Sequence, residues 1–385
     1  MKTGSPVVVL NIHHSGLAIA RCLGPLGVRV IGVSAKRNFH GNRSRWLEFR
    51  SSPDSLDDPS KLAHFLEGLA DELGERPILL PTRDHDVNFI SRFHTRLSAR
   101  FILPTLAPGV LESVINKDAL AAIARDAGID VPRGVAVREA EQIELVQTLR
   151  FPCICKPVYS SQWRRPGVWE AVGRQKAKYV SSFDELVAFY AGFSALDPVI
   201  QVQEWIPGSE RQLQIFGSYC ASNHEVVAYF TARKRLQFPA LAGTGIVVEA
   251  IRLPELVEPS RGLLRALNFH GISEIEFKRD ERDGRLYLIE VNPRHWDQHG
   301  LGNAVGVNLS EALYRDATHQ PQREMLQTDE SVIWVAEAEY LRHLLRCALG
   351  RTDWENAAAA WGARRTWAVL DSKDPKPFLA LMGTG

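Results

Sequence analysis

With 385 residues, 45% hydrophobic and 24% charged, the chain exceeds what one core usually serves and has the balance of ordinary globular protein, so two or three domains are expected. Its 46 basic and 45 acidic residues leave a net charge of +1, which excludes a global field for nucleic acid or anionic membrane but not a local anion site. No stretch approaches a membrane span, the apolar run near the start is too short for a secretory signal, and five scattered cysteines (Cys22, Cys153, Cys155, Cys220, Cys347) suit a reducing cytoplasm.

Residues 7–10 form a continuous apolar run, followed by a polar loop at 11–16, a helix over about 17–26 and a second apolar strand at 28–33. This is the strand-helix-strand unit of a parallel α/β domain. The loop, Asn11-Ile12-His13-His14-Ser15-Gly16, lacks the glycine spacing of a dinucleotide site, although Ser15 and Gly16 can hold a small anion at the helix N-terminus. The adjacent His13 and His14 should point apart and read as loop residues rather than metal ligands. A helix at 59–73 leads to a strand at 77–80, whose carboxyl end carries Thr82, Arg83, Asp84 and Asp86. Ligands in open parallel sheets bind outside the strand ends, which makes Arg83 and Asp84 candidate substrate contacts. An equal alternative is a helix N-cap with charges that suit the helix dipole.

From Asn116 the pattern changes. A short helix ends near Gly128 and Pro132, and alternating strands follow, including 153–156, 177–180, 199–207, 211–216 and 226–231, with a helix at 182–193. Cys153 and Cys155 share one face of an apolar strand and, without a second pair at zinc spacing, read as packing residues. Lys156 ends that strand beside a long polar stretch at 157–177, which reads as a mobile flap; a lysine so placed can meet a phosphate or simply reach water. Lys117, at the start of a helix, conflicts with the macrodipole, and a ligand phosphate would remove the conflict. In 201–216 a strand turns through Pro207-Gly208 and exposes backbone groups to which a purine edge can pair, with Glu210 placed for ribose hydroxyls; the alternative is a plain turn with a surface glutamate.

The richest stretch is 274–294, EIEFKRDERDGRLYLIEVNPR. With Arg282-Asp283-Gly284 as a three-residue loop, Glu276 faces Glu290 and Glu274 faces Asn292. Ile275, Phe277, Tyr287, Ile289 and Val291 then share one face, and Glu274, Glu276, Lys278, Leu288, Glu290 and Asn292 the other. Like charges opposite each other destabilise a sheet unless something positive lies between them, and a hard divalent cation fits best. Arg294, two residues beyond Asn292, can meet a phosphate. The residues that follow, His295, Trp296, Asp297 and His299, either line an acceptor pocket or are loop residues.

The motifs N-K-D at 116–118, F-P-x-x-x-K-P at 151–157, Q-E-W-I-P-G-S-E at 203–210, E-F-K-x-D at 276–280 and I-E-V-N-P-R at 289–294 stand in an order that resembles the ATP-grasp superfamily, of the carboxylate-amine ligase type related to D-alanine:D-alanine ligase and biotin carboxylase. The resemblance runs over about 7–313. It implies a parallel α/β domain (1–114), a small ATP-grasp subdomain with the flap (115–200) and a large one with the metal hairpin (201–322), the two subdomains holding ATP between antiparallel sheets. A C-terminal helical extension (323–385) would follow.

By the same resemblance Lys117 and Lys156 contact phosphates, Gln203, Glu204, Trp205 and Ile206 the adenine, and Glu210 the ribose. Glu276, Glu290 and Asn292 bind Mg²⁺, with Mn²⁺ as the alternative, and Arg294 and Lys156 act in catalysis. Arg83, Asp84, His295 and Asp297 are the candidates for substrate. The implied activity is ATP-dependent activation of a small carboxylic acid as an acyl phosphate and its joining to an amine, with ADP and phosphate released. Rival readings are carboxylation through carboxyphosphate, phosphoryl transfer, or a non-catalytic ATP-binding sensor. The partners expected are small molecules, with no nucleic acid or membrane, and a homodimer is the default. The flap departs from the family pattern, because Trp163, Arg164, Arg165 and Trp169 stand where a glycine-rich lid is common.

Overall fold

The structure is a computed structural model, which describes residues 4–159, 162–240, 243–352 and 354–383. Four strands, β1 (Val7–Leu10), β2 (Val30–Ser34), β3 (Glu48–Ser51) and β4 (Ile78–Leu80), form a parallel sheet in the order β3-β2-β1-β4. Every residue of β1, β2 and β4 is buried, which is why they read as unbroken apolar runs. The helix after β1, His14–Leu23, begins where the chain doubles back tightly. A Cβ at Gly16 would lie 2.3 Å from the Asn11 carbonyl oxygen, so this return tolerates only glycine.

A second sheet contains β5 (Gly134–Val137), β6 (Cys153–Lys156), β7 (Lys178–Val180) and β8 (Ile200–Glu204), all antiparallel, in the order β5-β8-β6-β7. The subdomain boundary expected after residue 200 therefore cuts through β8, which belongs to the small sheet. Cys153, Cys155, Trp163 and Phe193 lie in its core. Trp163, from the stretch expected to be a mobile flap, is 1% exposed and meets Phe189 and Phe193 at ring-centre distances of 5.9 and 5.5 Å. That part of the stretch is packed, because an indole so enclosed buries too much apolar area to detach readily. Ser160 and Ser161 of the same stretch lie outside the described residues.

The third sheet has seven strands: β9 (Leu213–Cys220), β10 (Val226–Phe238), β11 (Thr244–Ala250), β12 (Gly271–Arg279), β13 (Leu286–Asn292), β14 (Val332–Val335) and β15 (Arg364–Trp367). Their order is β13-β12-β9-β10-β11-β14-β15, antiparallel except for the parallel β14 and β15. The region from 323, expected as a separate helical extension, thus adds two strands to the central sheet. Four buried residues in a row, as in β14, carry no alternation by which a strand could be read.

One apolar core joins the parallel sheet to the large sheet. Val7, Val9 and Leu17 pack with Ile215, Phe230, Val247 and Trp334. On the opposite face of the large sheet, Phe216, Ile275, Phe277 and Leu288 pack with residues of the helices Pro108–Ile115, Lys117–Asp126 and Val257–Ala266. The C-terminal segment is pinned by Asp374, fully buried, which accepts from Ser44 Oγ (2.7 Å), the Arg45 N–H (2.9 Å) and Arg21 Nε (3.1 Å). Among the described residues no helix is long and apolar enough to cross a membrane.

Candidate active site

β12 and β13 pair with Glu274 opposite Asn292 and Glu276 opposite Glu290. Gly284 has φ +75° as the turn requires, but the loop is longer than three residues: Arg279 and Leu286 are the last pair, and Asp280 closes the turn by accepting the Gly284 N–H. Beyond Glu276 the register shifts by one, so that Phe277 faces Leu288. This bulge corrects the expected faces. Leu288, assigned to the polar side, packs with Ile275, Phe277 and Val291 in the core, while Tyr287 pairs with Lys278. The carboxylates at the other end of the pair keep their common face.

Lys234, on β10, holds Glu276 at 2.7 Å, and both side chains are buried. Burial, then the neighbouring Glu276, pushes the Glu274 carboxyl well above its ordinary range. Burial also raises Glu276, with Lys234 opposing it. Glu290, on the edge strand, opens to solvent. The surrounding protein still disfavours its charge, but Lys234, the Asn292 amide, Lys156 and Lys117 outweigh that and hold it below the usual carboxylate value. Two carboxylates and an amide on one face are the hard-oxygen set that Mg²⁺ or Mn²⁺ takes. Asn292 stands with Nδ2 donating to Glu274 and Glu290 (3.0 Å each) and Oδ1 accepting from Arg294 (3.4 Å), which offsets the like charges; its oxygen joins such a set only after the amide turns over.

Lys156, the last residue of β6, has its pKa lowered to about 7 by burial and by the nearby Lys117 charge, with Glu290 and Glu276 pulling the other way. Lys117 opens its helix behind Asn116, whose side chain accepts the Asp118 and Ala119 N–H groups as the N-cap. Its ammonium donates to the Pro157 and Val158 carbonyls (2.9 Å each), and burial lowers its pKa despite Glu290 and Asp84. A cleft between the small and large sheets is lined by Asp84, Lys117, Gln203, Glu290 and Asn292, so residues far apart in the chain converge there.

Of the segment expected at a purine, Gln203 lines this cleft and Ile206 is buried. Glu204 accepts the Arg150 N–H, and its own N–H donates to the Arg133 carbonyl; the Trp205 N–H donates to Pro152. Those two amides are therefore engaged with the chain, which narrows the free edge that the sequence suggested. The Trp205 ring lies 3.8 Å beneath the Lys278 ammonium, whose pKa burial lowers to about 8. Glu210 accepts the Gln237 N–H at 3.0 Å, and burial raises its pKa.

Arg294 donates to Asp84 at 2.6 Å, linking the loop after β13 to the carboxyl end of the parallel sheet. Arg83 faces elsewhere. It is held by Asp86 (2.8 Å) and Asp54 (3.0 Å), an ion-pair cluster with Ser55, and this favours the structural alternative for that residue. His295 is buried against Ser310 Oγ (3.1 Å), and His299 Nδ1 lies 2.7 Å from the Trp296 carbonyl. Both belong to the packed interior, because Trp296 draws the loop inward by stacking on Phe230. Asp297 remains half-buried. His13 and His14, expected to point apart, have ring centres only 4.1 Å apart, since His14 opens the helix and His13 stands just before it.

Sequence reading missed Lys234. Its signal was available: Ala228, Phe230, Ala232, Lys234 and Leu236 fall at alternate positions of one strand and all are buried, so a lysine on that face needs a carboxylate.

No family model matches the chain. A stretch of 274 residues is 24% identical to the D-aspartate ligase of Enterococcus faecium, covering 67% of this chain and 64% of that protein, so the match spans less than two thirds of the relative's length. Among solved structures, the L-amino acid ligase of Bacillus licheniformis superposes with a TM-score of 0.62 at 15% identity, covering 85% of this chain and 76% of the other. The biotin carboxylase domain of Hydrogenobacter thermophilus 2-oxoglutarate carboxylase, in complex with MgADP, ADP and bicarbonate, superposes with a TM-score of 0.67 at 15% identity, covering 86% and 74%. The parallel sheet followed by two antiparallel ones with a cleft between them agrees with these likenesses: the chain has the mixed α/β fold of the ATP-grasp enzymes, and its sequence is similar to that of a D-aspartate ligase over part of that protein's length.

Proposed function

We propose that the chain is an ATP-dependent, ADP-forming carboxylate-amine ligase acting on a small, amino-acid-like carboxylic acid. The observation that carries this reading is the face-to-face pair Glu276 and Glu290, set beside Lys156, Lys117, Lys234 and Arg294. A site that binds a polyphosphate needs fixed positive charge around one strip of negative charge that can hold a cation. The relatives supply the substrate class: one is named for D-aspartate and a structural neighbour for L-amino acids.

A carboxylate is a poor electrophile until one oxygen becomes a good leaving group. In the proposed reaction a carboxylate oxygen attacks the γ-phosphorus of ATP, the bond to the β-phosphate oxygen breaks and ADP departs. The amine then attacks the acyl carbon, loses a proton and expels inorganic phosphate. Lys156 and Lys117 offset phosphate charge, and Arg294, oriented by Asp84, stabilises the charge that develops on the transferred group. A Mg²⁺ or Mn²⁺ ion held by Glu276, Glu290 and Asn292 supplies further neutralisation when bound. No covalent nucleophile on the protein is required.

The test is ADP release with a panel of amino acids as acid and amine. Release that requires both supports the ligase; release with bicarbonate and no dependence on amine favours carboxylation instead. Glu290→Ala should lower turnover by about 100-fold or more while the circular dichroism spectrum and melting temperature stay unchanged, as removal of an electrostatic element from a transition-state site does. Unchanged ADP formation in that variant would refute the assignment.

A further inference from the structure

Away from the two facing glutamates, three further side chains meet across the boundary between the parallel sheet and the large subdomain. His13 and His14 come from the loop and helix that follow β1, and Asp297 from the loop beyond β13. One ligand atom from each lies within 4.8 Å of those from the other two. His40 stands next to them, its ring centre 5.4 Å from both His13 and His14. It is 7% exposed, and its Nε2 has no hydrogen-bond partner among the described residues.

Two imidazoles bound to one tetrahedral ion through bonds of about 2.0–2.1 Å have ring centres roughly 5 Å apart. The His13 and His14 rings stand nearer than that, at 4.1 Å, and each lies 5.4 Å from the His40 ring. An unpaired buried ring nitrogen is costly, and the His40 Nε2 beside the cluster is one. We propose that His13, His14 and Asp297 form a binding site for a borderline divalent transition ion of the Zn²⁺ class, with His40 at its edge and one coordination position open to water or to a donor atom of a small ligand.

The chemistry of the donors separates this site from the glutamate pair. Imidazole nitrogens select zinc, cobalt or nickel, whereas Mg²⁺ prefers an all-oxygen set. Two histidines and a carboxylate with an open position are a recurrent zinc arrangement. The nearby cations do not block the site: Arg294 is paired with Asp84, and Lys176 donates to Thr244 Oγ1 at 3.2 Å. His13 and Asp297 are both half-buried, so an ion reaches them from solvent without opening the core.

The experiment uses the full chain, stripped of metal by a chelator and free of nucleotide, so its outcome does not depend on the proposed ligase activity. Co²⁺ is added while its visible d–d absorption is followed, and Zn²⁺ is then titrated in competition, with calorimetry for stoichiometry. The site predicts one equivalent of tetrahedral-type Co²⁺ spectrum, displaced by Zn²⁺ and not by Mg²⁺. Because His14 is buried, the more accessible His13→Gln and Asp297→Asn are the primary variants, each checked for fold by circular dichroism. Each should weaken Zn²⁺ at least 10-fold, and Glu276→Gln and Glu290→Gln should leave Zn²⁺ affinity unchanged. Absence of a stoichiometric site, affinity that survives both His13→Gln and Asp297→Asn, or affinity lost with Glu276→Gln or Glu290→Gln overturns the proposal.

Discussion

Replacing Lys234 with methionine isolates the contact that keeps the acidic strip together. Lys234 and Glu276 are 2.7 Å apart with side chains 7% and 9% exposed, so Lys234→Met leaves a buried carboxylate facing Glu290 without its counter-ion. Removing one partner of a buried pair typically costs about 3–5 kcal/mol. Glu276 has an escape, because it can take up a proton, and this caps the loss. Protonating a carboxyl of ordinary pKa about 4.3 at pH 7 costs about 3.7 kcal/mol, at 1.36 kcal/mol per pH unit, and the cap falls to about 1.6 kcal/mol at pH 5.5. The sign is fixed: with Glu276 raised further in the folded variant, the folded state binds more protons than the unfolded chain above about pH 4.3, so the variant regains stability relative to the parent as pH falls. Equilibrium urea denaturation at pH 7 and 5.5, with coincident fluorescence and circular dichroism transitions as the two-state check, measures it. The double variant Lys234→Met/Glu276→Gln should recover at least about half the loss, since neutral partners bury more cheaply than one stranded charge. A loss below about 0.5 kcal/mol, or one that does not shrink toward pH 5.5, would show that Lys234 is not what compensates the Glu276 charge.

Lys156→Ala should weaken ATP binding by about 1.5–3 kcal/mol, as loss of a charge-assisted contact does, which equilibrium dialysis with a non-hydrolysable analogue would detect. In the parent, with Lys156 near pKa 7, phosphate binding raises that value, so affinity is greatest below pH 7 and declines as pH rises through it. Calorimetry in buffers of different ionisation enthalpy should show proton uptake at pH 8, and no uptake would contradict the assignment. Asp374→Ala removes the buried acceptor of Ser44, Arg45 and Arg21 and should free the C-terminal segment. Limited proteolysis should then cut near 371–383 at least about 10-fold faster than in the parent; equal rates would show that the segment is held by other contacts.

The Glu276 and Glu290 pairing, the helix that opens at Lys117 and the β1-helix-β2 unit could all be read from the chain, because each depends on residues within about twenty positions of one another and on the period of two or 3.6 that local geometry imposes. The bulge after Glu276 escaped that reading, since a period of two cannot reveal one extra residue; it moved Leu288 into the core. Alternation along its strand could mark Lys234 as buried and in need of a carboxylate, but no local pattern names the partner across a long separation: Lys234 with Glu276, Arg294 with Asp84, Asp374 with Arg21, and His13 and His14 with Asp297. Local spacing was enough to show which strand pair carries the acids and which lysine ends a buried strand. Which charge answers which emerges from the folded molecule alone, because burial is a property of the assembled core, and a buried charge takes whatever partner the packing of distant strands brings within reach.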